Sequence, residues 1–116
     1  MSFTQQIYDM ASMALPDMTT RTFSRYCGKS EGYYGSISAQ NLPISTNSLL
    51  YLSEVLEHKK SERPNKYINE LQTVIAQEVA RRVQALDTQN MQVRKMVMRA
   101  IAQTYMGNAG EFYAPP

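Results

Sequence analysis

Only one cysteine, Cys27, and one histidine, His58, occur in the 116 residues. A single cysteine forms no disulfide within its own chain and suits a reducing cytoplasm. One cysteine and one histidine are too few for a structural zinc site. A lone histidine also leaves little acid–base chemistry near neutral pH. No apolar run approaches the ~18 residues that span a bilayer. The opening Met1-Ser2-Phe3-Thr4-Gln5-Gln6 has neither the basic nor the apolar region of a signal peptide. Phosphate-binding glycine loops, a nucleophile elbow, metal motifs and paired carboxylates are all missing. The expectation is therefore a cytoplasmic protein with no membrane partner, no cofactor and no metal, and not an enzyme. Repeats, low-complexity tracts and strand-like pairs are missing too.

Charge is also scarce. Charged residues make up 19% of the chain and hydrophobic ones 43%, which is the balance of an ordinary globular fold. A net charge of +2 does not announce nucleic acid, but its distribution is uneven. Residues 1–17 carry two acids and no base. Residues 18–41 set Arg21, Arg25 and Lys29 against Glu31, and residues 81–106 set Arg81, Arg82, Arg94, Lys95 and Arg99 against Asp87. Two local basic stretches on a nearly neutral chain fit phosphate contact at restricted places. For the second stretch a solvated helix face is an equal alternative.

The apolar spacing is helical throughout. Phe3, Ile7, Met10, Ala11 and Ala14 recur three and four apart, predicting a helix over 3–14 that Pro16 closes. Thr19 or Thr20 is the N-cap of a second helix ending at Gly28, a residue that adopts a left-handed turn without steric cost. Ser30 with Glu31 starts a third, broken by Asn41 to Pro43. Ser45 or Thr46 starts a fourth, with Leu49, Leu50, Leu52, Val55 and Leu56 on one side and an end near His58, where Lys59 and Lys60 suit the helix dipole. Ser61-Glu62-Arg63-Pro64-Asn65 is the expected linker. Beyond it Ile68, Leu71, Val74, Ile75, Val79, Val83 and Leu86 form a long apolar stripe. Met91, Val93, Met96, Val97, Ile101 and Tyr105 continue it, either in the same helix or, as preferred, after a break near Asp87.

Ser24 is a small residue in the second helix, Gly28 follows four positions later as the turn, and Phe23, Cys27, Tyr34 and Ile37 are buried candidates. With Pro43-Ile44-Ser45-Thr46-Asn47-Ser48-Leu49-Leu50 downstream, this pattern resembles the helix-turn-helix of the phage-repressor/Cro-like family over roughly residues 3–58. The resemblance implies an all-α fold: a lambda-repressor-like helix-turn-helix bundle at 1–60, with a C-terminal helical extension or helix hairpin at 61–116. It further implies that the helix from Ser30 to Gln40 enters the major groove of double-stranded DNA. The groove-facing positions would be Ser30, Glu31, Gly32, Gly35, Ser36 and Ala39, with Gln40 at the end of the face. Thr20 stands where the family often has a glutamine phosphate clamp. Arg21, Arg25 and Lys29 would meet phosphates, and Lys29 would also be placed for a guanine edge.

The sequence departs from that pattern. Gly32 and Gly35 each cost ~1 kcal/mol relative to alanine within a helix, and Tyr34 replaces the usual branched aliphatic residue. Two accounts follow. The glycines let the backbone approach DNA, with Tyr33 or Tyr34 touching a thymine methyl or a phosphate. Alternatively, the scaffold is a phage- or plasmid-type adaptor or inhibitor that binds a host protein through Gly-Tyr-Tyr-Gly.

A unit of about 58 residues buries little surface, so the C-terminal stripe needs a partner: it either folds back over the first four helices or, as preferred, pairs with the same region of a second copy in a homodimer. Its contact residues would be Ile68, Leu71, Ile75, Val79, Val83, Leu86, Val97 and Ile101. The resulting expectation is a dimeric transcriptional repressor. Cys27 reads as a small buried hydrophobe, His58 as a solvated or capping group, and the methionines as packing residues.

Overall fold

The computed structural model describes residues 2–85 together with 92, 95–96, 98–100 and 102. Every regular element among the described residues is helical: α1 (Phe3–Ala14), α2 (Thr20–Tyr26), α3 (Tyr33–Ala39), α4 (Thr46–Glu62) and α5 (Lys66–Gln84), with helical backbone also at the described residues beyond 85. Among them no helix is long and apolar enough to cross a membrane. The chain divides into two compact units, residues 1–72 and 73–116, and the division falls within α5.

Side-chain oxygens set where the helices begin. Ser2 accepts from the Gln5 N–H, Thr19 from Thr22 and Ser45 from Ser48, each satisfying a first-turn amide that has no partner inside its helix. Asn65 does the same for α5, its Oδ1 taking the N–H groups of Tyr67 and Ile68. Its Nδ2 donates to the Ala14 carbonyl at 2.9 Å and so ties the α5 entrance to the end of α1. That end comes at Leu15, whose extended backbone is the conformation a following proline imposes.

Within residues 1–72, α2 is the centre and packs against α1, α3 and α4. Phe23 on α2 and Cys27 at its C-cap are sealed from solvent with Ile7 and Ala11 of α1, Ile37 of α3 and Leu49, Leu52 and Leu56 of α4. Tyr8, Phe23 and Tyr34 bring three helices together in one aromatic cluster. Phe23 meets both tyrosines edge-on at 5.3 and 5.4 Å, and the tyrosines stack at 4.7 Å. Edge-on and offset contacts bring the positive ring edge to a negative face, adding to the area buried.

Three expectations need correction. The third helix begins at Tyr33 rather than Ser30, because residues 30–32 form a turn in which Tyr33 N–H bonds to the Ser30 carbonyl. The fourth runs on to Glu62, past His58, leaving a shorter connection at 63–65. Lys59 and Lys60 do occupy its last turn. Finally, Ile68, Leu71, Ile75, Val79 and Val83 are already buried in the single chain, between 0% and 7% exposed. They are not an open seam for a second copy. The short connection makes α4 and the first turns of α5 neighbours, with the Gln72 amide nitrogen bonded to the Glu57 carboxylate at 3.0 Å and its oxygen taking Lys60 at 3.2 Å. Leu86, Val97, Ile101 and the expected break near Asp87 lie outside the described residues.

In the second unit, Glu78 receives Arg81 at 2.7 Å and Arg82 at 2.8 Å. The two guanidinium groups, Arg81 foremost, outweigh burial and hold the carboxyl down at about 2.

Candidate nucleic-acid interface

The connection between α2 and α3 is built at Gly28. Its φ of +75° lies in the left-handed region, where a Cβ would crowd the following carbonyl. Gly28 N–H reaches the Arg25 carbonyl and Lys29 N–H the Ser24 carbonyl, the pair of bonds that closes a Schellman helix end. A second constraint comes from α4. A Cβ on Gly28 would stand 2.9 Å from ring atoms of Tyr51, well inside contact distance. The turn is therefore tight in backbone and in space.

Beyond the turn, α3 lacks a capping side chain of its own, because its N-cap is Gly32. Ser24 of α2 supplies it from across the turn. Its Oγ accepts the Tyr34 N–H at 2.9 Å and donates to the Thr20 carbonyl at 2.8 Å. Ser24 is fully buried, so it acts as a rigid bolt between the two helices. At its far end α3 stops at Ala39 with Gln40 as its C-cap, and the chain turns at Asn41, whose φ of 55° is tolerated by asparagine. Leu42 N–H then closes onto the Ile37 carbonyl at 2.8 Å.

Tyr34 and Ile37 are the buried residues of α3. Gly35, Ser36, Ala39 and Gln40 face solvent, as do Ser30, Glu31 and Gly32 just before the helix. Thr20, Arg21, Arg25 and Lys29 are exposed on α2 and the turn. Every anticipated contact position but Tyr33 and Tyr34 is thus exposed to solvent. Arg25 is not free: it pairs with Glu31 at 3.3 Å, both side chains more than half exposed. A pair so open is weak and screened by salt. Lys29 holds its ammonium 5.8 Å from the centre of the Tyr33 ring.

The two tyrosines have other work than touching DNA. Tyr34 is only 8% exposed and belongs to the aromatic cluster. Tyr33 is half-buried, and its hydroxyl oxygen accepts from the Ser45 N–H and the Ser48 hydroxyl, both at 3.2 Å, fixing α3 to the start of α4. Burial pushes the Tyr33 phenol up, but the bonds from Ser48 and Ser45 outweigh it and hold the phenol below its ordinary value. Neither this clamp nor that of Thr4 was anticipated. The buried Thr4 hydroxyl donates to the Leu42 carbonyl at 3.1 Å and accepts the Ile44 N–H at 2.9 Å.

Cys27 is 1% exposed, and burial, partly offset by Lys29, pushes its thiol up to about 12. It is a packing residue and stays protonated near neutral pH. No group of three or more potential metal ligands occurs among the described residues. The chain matches no family model, no curated relative and no solved structure.

Proposed function

We propose that the chain is a sequence-specific DNA-binding regulator that docks α3 in the major groove through a repressor-like helix-turn-helix formed by α2, the Gly28 turn and α3. One observation carries the reading: Ser24 bolts α3 to α2 while the opposite face of α3 stays in solvent. A helix that is held rigidly and yet bare on one side is what groove insertion requires. Arg21, Arg25 and Lys29 are the phosphate partners, fixing register without carrying sequence information. Thr20 adds a hydroxyl at the start of α2. Regulation works by occupancy in the cytoplasm, without turnover or cofactor, and repression is the simplest outcome of an occupied operator.

Paired half-sites would lie ~34 Å apart. A dimer on such a site belongs to this reading, with its seam on a surface other than the buried stripe of α5. Sedimentation on a palindromic duplex tests it, and a single copy per duplex removes it.

The rival is a phage- or plasmid-type adaptor or inhibitor that binds a host protein. It is favoured by the shortness of the side chains at Gly32, Gly35, Ser36 and Ala39. Selection from a random duplex pool separates the two. The regulator enriches a motif bound at about 10⁻⁸ M or tighter at physiological salt. Replacing Arg25 and Lys29 with alanine weakens all duplexes alike and lowers the salt slope by about two. A pool with no enriched motif defeats the DNA reading.

A further inference from the structure

The only long polar side chain beside the exposed face of α3, that of its C-cap Gln40, is constrained by the helix it ends. Gln40 Nε2 donates to the Ser36 carbonyl at 3.2 Å and to the Ser36 hydroxyl oxygen at 3.0 Å. An amide whose nitrogen is engaged in this way is left with its carbonyl oxygen as the group available to a partner, an acceptor. The Ser36 hydroxyl takes the Gln40 proton on its oxygen and donates its own to no group among the described residues. The two residues, one helical turn apart and both exposed, therefore present a donor beside an acceptor.

In the major groove the four bases answer that pair differently. Adenine offers N7 as acceptor and the N6 amine as donor, meeting both groups. Cytosine offers only its N4 amine and leaves the serine unmatched. Guanine sets O6, and thymine O4, against the glutamine oxygen, acceptor facing acceptor. We propose that Ser36 and Gln40 form a single reading unit that selects adenine at one position of the bound duplex, Ser36 donating to N7 and Gln40 accepting from the N6 amine. The unit differs from the usual glutamine–adenine contact, in which the amide supplies both bonds. Here the amide nitrogen belongs to the helix, and serine takes its place.

This inference rests on the DNA reading of α3, and the experiment keeps the two failures apart. A motif is first selected from random duplexes with the full chain. The enriched duplex is then remade with 7-deazaadenine, which lacks the N7 acceptor, or with purine, which lacks the amine, at each adenine in turn. The wild type loses about tenfold in affinity for either analogue at one position, the scale of a lost base contact. Ser36→Ala is indifferent to the deaza analogue there but still senses the missing amine. Gln40→Ala shows the opposite pattern. Circular dichroism checks that both variants keep their helicity. Glu in place of Gln40 retains an acceptor, so Gln40→Glu keeps discriminating adenine from purine even as repulsion from phosphates weakens overall binding. If no motif is enriched, the DNA reading itself falls and this proposal with it. If a motif is enriched but both alanine variants respond to the analogues as the wild type does, the DNA reading stands and the adenine unit is overturned. A cytosine preference that Gln40→Ala abolishes also overturns it, since serine would then have no partner.

Discussion

The buried hydroxyl of Ser24 holds the Tyr34 amide at 2.9 Å, so the first turn of α3 is capped by a residue ten positions earlier on another helix. Ser24→Ala strands that amide in a buried site, at a cost of about 1–3 kcal/mol. Chemical denaturation should show the loss, and hydrogen exchange should localise it to the start of α3. An unchanged midpoint would mean that α3 does not depend on this cap.

Gly28 faces two separable penalties. Gly28→Ala adds left-handed strain of about 1–3 kcal/mol and a collision with the Tyr51 ring, which approaches to 2.9 Å. Since Tyr51 is about half exposed, at 51%, Tyr51→Ala alone should be mild. The double variant is expected to recover part of the stability and not all of it. Full recovery would show that the backbone conformation is not costly there.

Glu31 is the acid beside the cations of α2. Glu31→Gln releases Arg25 and removes a negative charge, so non-specific duplex affinity should rise several-fold at low salt and the gain should shrink as salt screens it. Folding stability should hardly move, because the pair is open to solvent. A gain that persisted at high salt would point to a different origin.

The depressed carboxyl of Glu78 gives a pH signature. Held at about 2 in the folded chain against an ordinary 4.5, it stabilises the fold above roughly pH 4.5, and that contribution disappears as acid is added toward pH 2. Glu78→Gln should flatten the stability profile of the α5 region across that window. Thermal melts at pH 5 and pH 2.5 make the comparison, and equal pH sensitivity in both proteins would contradict it.

Local chemistry was legible in the sequence. Pro16, Thr19, Gly28, Ser45 and the spacing of Ile68 to Val83 announce helix ends, turns and a buried stripe by residue type alone. What escaped was anything joining distant positions. Ser30 resembles a cap because it precedes Glu31, yet the α3 amide is satisfied by Ser24. The hydroxyls of Tyr33 and Thr4 have no sequence signature of their own. Tyr33 looked free to contact DNA, and Thr4 looked like any polar residue on an amphipathic helix. The α5 stripe was visible as apolar, but a periodicity does not say whether the same chain or another copy covers it.

The hydroxyl of Thr4 grips both sides of Pro43, at Leu42 and at Ile44, so the path leaving α3 is anchored by the first turn of α1 nearly forty residues away. An excised peptide spanning α2 and α3 would lose this anchor along with the floor of the aromatic cluster. Trimming the first few residues should loosen the far end of α3 while leaving its own sequence untouched.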